Sequence, residues 1–310
     1  MANSLDDGDE IGTRRAADAP STIAHRGFAY AYPENTLGAF REAVTVDPGL
    51  ETLEIDVRQS ADGELFVFHD DTLGRLTDAP ADVRDRPVWE LPFETIRSFD
   101  VLGTDERVPR LSEVLEAVPS DVRLNVEFKN PGRGDVRFAE NLPSSAREAA
   151  RDRWLEFAGR VVDVLAEYPH EVLVSSFFEG AIAAMRDVDP TVPVAWIFYE
   201  SVADGFEVAG RYDCEAIHPP LSMLSGTTLF NEEYTGREPY EEVDVLAIAD
   251  DEGREVNAWT VDTWHQAAEL RRVGVDGMLV DYPRLLEYGT ADSGRVATAH
   301  GRRPPSQASK

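Results

Sequence analysis

The chain has 310 residues, a mass of 34.3 kDa and 42% hydrophobic residues, enough for one large core and too many for wholesale disorder. Fifty-nine acidic residues against thirty basic ones give a formal net charge of −29, which disfavours nucleic acid and anionic membrane surfaces as partners. The single cysteine, Cys214, excludes an internal disulfide and a cysteine-based zinc site.

No apolar run approaches the roughly 20 residues of a membrane span, and the acidic start carries no apolar leader core, so a soluble protein kept inside the cell is expected. So much negative charge repels itself at low ionic strength, while molar salt shortens the Debye length to about 3 Å. With only two lysines, Lys129 and Lys310, the composition points to a salt-rich cytoplasm. Residues 1–20 read as a disordered acidic tail and 290–310 as a flexible C-terminal tail, leaving 21–289 as a single domain.

Between the tails, strand and helix patterns alternate. Strands are predicted at 22–25, 52–58, 123–129, 171–177, 193–199, 215–219, 255–261 and 277–281, several as continuous apolar runs suited to parallel strands covered on both faces. Helical patterns cover 36–46, 111–118, 147–167, 179–188 and 264–273. Eight strands with helical crossovers predict a (β/α)₈ TIM barrel. An open doubly wound sheet is the alternative, but no glycine-rich phosphate loop follows the first strand. The second strand is followed by Ala61-Asp62-Gly63, a hairpin signal, and then by 64–69. Folding about Asp62-Gly63 is expected to set His69 opposite Asp56 and to turn Glu54, Asp56 and His69 to one face. The segment 71–108 has no long helical pattern and reads as a small cap inserted over the barrel mouth.

In such a barrel, chemistry sits at the C-terminal ends of the strands. The first strand ends in His25-Arg26-Gly27, the second carries Glu54-Ile55-Asp56, its hairpin ends in His69-Asp70, and the third ends in Glu127-Phe128-Lys129. Three carboxylates without cysteine suit a hard cation such as Mg²⁺ or Ca²⁺, with Mn²⁺ a third option. Arg26 and Lys129 suit a phosphate beside it, and two histidines can supply a general base and a general acid. Each piece alone has a structural explanation, and their convergence at consecutive strand ends is what those explanations miss. Together they describe metal-assisted phosphodiester cleavage.

The set His25-Arg26-Gly27, Pro33-Glu34-Asn35-Thr36, Glu54-x-Asp56, His69-Asp70 and Glu127-x-Lys129 resembles the glycerophosphodiester phosphodiesterase family in order and spacing. Ser175-Ser176-Phe177, Trp259-Thr260-Val261-Asp262 and Gly274-Val275-Asp276-Gly277 with Asp281-Tyr282-Pro283 extend the resemblance over roughly residues 22–288. Phe128, Val280 and Asp262 depart mildly from the pattern and remove no catalytic group. The resemblance implies a TIM barrel, a divalent cation, and hydrolysis of glycerophosphodiesters to glycerol 3-phosphate and an alcohol. It implies Glu54, Asp56 and Glu127 as metal ligands, His25 and His69 as the acid–base pair, and Arg26 and Lys129 as phosphate contacts. In similar enzymes the neighbouring glycerol hydroxyl attacks phosphorus and water opens the resulting cyclic phosphate.

Weaker expectations attach to other residues. Trp259 is as suited to a substrate contact as to plugging the rim. Phe177, Phe178 and Phe198 suit core packing better than an apolar wall. Glu34 is expected to favour a helix N-terminus, Asn35 to hold the first loop, and His218 to support the mouth. His170, His265 and His300 read as incidental and Cys214 as a buried apolar residue. A phospholipase acting on intact or lyso-phospholipids is the competing enzyme, and a barrel kept as a non-catalytic metal-binding module is the competing non-enzyme. The oligomeric state is open.

Overall fold

The computed structural model describes residues 19–132, 134, 136–230 and 243–287. The chain begins with β1 (Ser21–Ala24), α1 (Leu37–Val46), β2 (Thr52–Gln59) and β3 (Leu65–Val67), followed by the short helices α2 (Ala81–Arg84) and α3 (Phe93–Ile96). Next come α4 (Leu111–Ala117), β4 (Arg123–Phe128), α5 (Ser144–Asp152), α6 (Leu155–Leu165), β5 (Val172–Ser176) and α7 (Glu179–Val188). The last third holds β6 (Val194–Ile197), α8 (Val202–Arg211), β7 (Ala216–His218), α9 (Val245–Glu252), β8 (Glu255–Val261), α10 (Trp264–Val273) and β9 (Gly277–Val280). Strand order is β1-β9-β8-β7-β6-β5-β4-β2-β3, and β1 also pairs with β2, which closes eight parallel strands into the expected barrel. The tail segments 1–18 and 288–310 lie outside the described residues.

Register decides what faces what. Asp56 is the direct partner of Glu127, Glu127 of Ser175, and Ser175 of Ala195. Residues two apart on a strand share a face, so Glu54 joins Asp56. On the same face Leu173, Ala195 and Ala216 pack together apart from the main core. The alternate positions, such as Leu53, Ile55, Val57, Val126 and Val174, pack against the outer helices in the main core, with Cys214 among them.

Helix ends follow local chemistry. Thr36 caps α1 by accepting from the Ala39 N–H, and Thr263 and Gln266 form a reciprocal capping box on α10. The single helix expected over 147–167 is instead α5 and α6. The break falls at Trp154, which is buried and packs 5.1 Å from Phe178 and 5.9 Å from Phe157 between ring centroids. Besides the short α2 and α3 of the 71–108 segment, α8 and α9 were not expected. Glycine weakens a helix, yet in α8 a Cβ at Gly205 would lie 2.6 Å from the Phe198 ring, so the close approach outweighs propensity. Phe198 itself is buried there.

The β2–β3 hairpin corrects a second expectation. Val57 pairs with Val67 and Arg58 with Phe66, and the Phe68 N–H donates to the Asp56 carbonyl. Asp56 therefore stands opposite Phe68, and His69 follows in the loop beyond β3. After it, Leu73, Leu76, Val88, Leu91 and Phe93 are buried with Phe66 and Phe68 in a second core, with Trp89 packed against it. Only Asp71 and Thr72 of the 71–108 segment border the cavity described below. Among the described residues no helix is long and apolar enough to cross a membrane.

Candidate active site

A cavity of about 810 Å³ opens at the C-terminal mouth, and His25, Arg26, His69, Glu127, Lys129, His218 and Trp259 all line it. The three carboxylates meet as register requires. Glu54, Asp56 and Glu127 each offer a ligand oxygen, with these oxygens within 4.8 Å of one another, and all three side chains are buried.

Each carboxylate is oriented. The loop after β1 makes a short 3-10 turn, His25–Gly27, with Arg26 at φ 52°. Gly27 follows at φ +78°, where a Cβ would lie 3.0 Å from both Ala39 and Phe40, so the turn requires glycine. It aims the Arg26 backbone N–H at Glu54 Oε2, 2.9 Å away. Asn35 Nδ2 donates to Asp56 Oδ2 at 2.7 Å, while Arg26 Nε lies 3.3 Å from the same oxygen. Lys129 Nζ is 3.0 Å from Asp56 Oδ1, without hydrogen-bond geometry, and also contacts Glu127 Oε1.

Three buried acids against two cations leave a deficit of positive charge. Burial, with Asp56 and Glu127 nearby, holds the Glu54 carboxyl well above the usual range. Burial also opposes ionisation of Asp56, but Lys129 and Arg26 outweigh it and hold its carboxyl well below the usual range. Glu54 Oε1 and Asp56 Oδ1 are buried without a hydrogen-bond donor. An all-oxygen set with two such atoms fits a hard divalent cation.

Both expected histidines carry a carboxylate partner. His25 Nδ1 is 2.7 Å from Asp281 Oδ1, and His69 Nδ1 is 2.7 Å from Asp70 Oδ1. A carboxylate only accepts, so Nδ1 holds the proton and Nε2 is left for chemistry. Burial, followed by the Lys129 charge, pushes the His69 imidazole below its ordinary value, which favours the neutral form.

The remaining residues sort clearly. Trp259 lines the cavity with its indole N–H held by the His218 carbonyl at 2.7 Å. Phe177 and Phe178 also line it, whereas Phe198 does not. Glu34 does not sit at the start of α1, which opens at Leu37. It is buried and binds Arg26 Nη1 at 3.0 Å and Arg75. Asn35 orients Asp56, a role beyond holding its loop. His218 is fully buried and hydrogen-bonded to Asn257. His170 binds the Leu115 carbonyl and His265 contacts Thr228, both away from the cavity, and His300 lies outside the described residues.

Sequence reasoning missed Arg58, Arg75, Asp281, Phe138 and Tyr199. Arg58 is buried, donates to the Phe68 and His69 carbonyls, and pairs with Asp71 at 2.8 Å. Phe138 stacks on Phe177 with centroids 4.7 Å apart and lies 5.9 Å from Tyr199, which extends the aromatic wall. Asp281 follows β9 directly and stands in the quoted Asp281-Tyr282-Pro283 motif, and these were the available signals for its role.

The pattern of the glycerophosphoryl diester phosphodiesterase family matches residues 25–285. A glycerophosphodiester phosphodiesterase of Caldanaerobacter subterraneus is 25% identical over 268 residues, covering 85% of this chain and 95% of that protein. A lysophospholipase D of Rattus norvegicus is 26% identical over 287 residues, covering 86% and 84%. Among solved structures, an Oleispira antarctica phosphodiesterase in complex with sn-glycerol-3-phosphate superposes with a TM-score of 0.63 at 26% identity, covering 87% of this chain and 96% of that one. The same motif order, running through a barrel of the same form, means that this chain belongs to the glycerophosphoryl diester phosphodiesterase family of hydrolases.

Proposed function

We propose that the protein hydrolyses soluble glycerophosphodiesters to glycerol 3-phosphate and an alcohol, with a divalent cation held by Glu54, Asp56 and Glu127. The observation that carries this reading is the buried oxygen triad flanked by two histidine–carboxylate pairs in one cavity. The cation, Mg²⁺ or Ca²⁺ on the all-oxygen donor set, supplies Lewis acidity and neutralises phosphate charge. Arg26 and Lys129 meet the phosphate oxygens, and Trp259 packs against the substrate at the rim. One imidazole, His25 or His69, neutral with its proton on Nδ1, takes the proton of the neighbouring glycerol hydroxyl through Nε2 as that oxygen attacks phosphorus. The other, as the imidazolium, gives its Nε2 proton to the leaving alcohol oxygen as the phosphorus–oxygen bond breaks, and water then opens the cyclic phosphate with the two roles exchanged, giving glycerol 3-phosphate. Asp281 and Asp70, each accepting from a ring Nδ1, orient the two imidazoles and leave Nε2 free for this exchange. We read residues 21–289 as the catalytic unit, and the −29 charge as fitting a salt-rich cytoplasm.

The aromatic wall of Phe138, Phe177, Phe178 and Tyr199 favours a second reading, in which a lysophospholipid places its apolar part there. A direct comparison of glycerophosphocholine with lysophosphatidylcholine at equal concentration separates the two. Higher kcat/KM on the soluble diester supports the first reading, and a reversed preference replaces it with the second.

A further inference from the structure

The carboxylates that touch His69 and Arg26 are themselves joined by one side chain, Arg75, in the loop after β3. Its Nε donates to Asp70 Oδ2 and its Nη2 to Asp70 Oδ1, both at 2.7 Å. The other edge of the guanidinium donates from Nη1 to Glu34 Oε2 at 2.8 Å, and Nη2 also reaches Glu34 Oε1 at 2.9 Å. Asp70 Oδ1 then accepts from His69 Nδ1, and Glu34 Oε1 accepts from Arg26 Nη1 at 3.0 Å. A planar fork of five donors can grip two carboxylates at once, which lysine cannot do.

We propose that Arg75 is a positioning residue: by bridging Asp70 and Glu34 it fixes the His69 imidazole and the Arg26 guanidinium relative to one another across the cavity mouth. This rests on the reading that His69 moves a proton and Arg26 meets the phosphate. Arg58 adds a second hold on the same residue, because its guanidinium binds the His69 carbonyl while Arg75 acts on the ring through Asp70. Exposed ion pairs usually contribute little. Here the Glu34 side chain is 6% exposed and four hydrogen bonds converge on one group. Burial would raise the Asp70 carboxyl, but hydrogen bonds from His69 and Arg75 outweigh it and keep Asp70 ionised. Without Arg75, Asp70 keeps its charge-bearing role but loses the contacts that set its orientation.

The test uses the full chain with Arg75→Ala, Asp70→Asn and the double variant. Arg75→Ala is expected to lower kcat by about 10–100-fold, with a smaller change in KM. The loss in the double variant is expected to be smaller than the product of the two single losses, because Arg75 acts on His69 through Asp70 and only its hold on Glu34 is independent of it. The Arg75 side chain is 49% exposed, so millimolar guanidinium should restore much of the Arg75→Ala rate where equal sodium chloride does not. Imidazole ¹⁵N spectra give a readout that needs no turnover: His69 is expected as one Nδ1-protonated tautomer in the wild type and as a mixture in Arg75→Ala. Unchanged kcat, additive losses, absent rescue or an unaltered tautomer overturns the proposal. If Arg75→Ala loses its near-ultraviolet circular dichroism, Arg75→Lys, which can reach only one carboxylate, carries the same comparison. A wild type inert toward every diester would sink the proposed reaction, and the ¹⁵N spectra would still decide the role of Arg75.

Discussion

Replacing Glu54 with glutamine should move stability in opposite directions with and without a cation. Ligand oxygens of the triad lie within 4.8 Å of one another. At an effective dielectric of about 20, one like-charged pair at that distance costs on the order of 3.5 kcal/mol. Fully ionised, Glu54 would face two such partners, about 7 kcal/mol, which Arg26, Lys129 and uptake of a proton by its raised carboxyl reduce to a small remainder. Glutamine keeps an acceptor for the Arg26 backbone N–H, now 2.9 Å from Glu54 Oε2, and adds a donor between two carboxylates. In chelator the variant should therefore gain roughly 1–2 kcal/mol. In cation at a hundred times its Kd the wild type gains about 2.7 kcal/mol. A variant bound about a hundredfold more weakly gains only about 0.4 kcal/mol under the same conditions. Thermal melts in molar salt read this as a crossover, at about 2 °C per kcal/mol for a chain of this size. A variant less stable than wild type in chelator, and equally stabilised by cation, would refute the reasoning.

Other consequences are open to measurement. His25→Ala and His69→Ala should each lower kcat by at least about 10²-fold in a steady-state assay while the folded spectrum is kept; near-wild-type turnover in both would remove them from the chemistry. Burial pushes the His218 imidazole down to about 3. Its unfolded value is near 6.5, so the unfolded chain binds the extra proton between those limits. That contribution to stability is full above pH 6.5 and is lost as pH falls, by up to about 1.4 kcal/mol per unit. Urea melts from pH 7 to 4 should accordingly show a shallower acid loss for His218→Gln than for wild type. The charge of −29 predicts an unfolding midpoint that climbs steadily from dilute buffer to molar salt, and a flat dependence would contradict that reading.

The barrel was legible because its strands are apolar runs with a fixed period, and parallel pairing then sets Asp56 beside Glu127 without further information. The hairpin was less so. A turn signal fixes where a chain reverses only to within a residue, and one residue of slip put His69 opposite Asp56 in place of Phe68. The helix α8 was hidden by Gly205, a glycine kept for the Phe198 ring, and α9 by its acidic end, Asp250-Asp251-Glu252, which opposes the helix dipole. Arg58 and Arg75 escaped notice for a different reason. In so acidic a chain a lone arginine reads as a solvated partner of some nearby acid, and only the fold shows that Glu34 and Asp70, far apart in sequence, face one guanidinium. Glu34 was misread likewise, because proximity to a helix start explained it adequately without tertiary contacts.

The most direct measurement is release of glycerol 3-phosphate from glycerophosphocholine in molar salt, with Mg²⁺, Mn²⁺ or Ca²⁺ added separately, a chelator control, and His25→Ala alongside. Release that needs a divalent cation and disappears in His25→Ala is the expected result. Release that persists in chelator, or no release from folded wild-type protein with any of the three cations, would contradict cation-dependent hydrolysis of glycerophosphodiesters at this site.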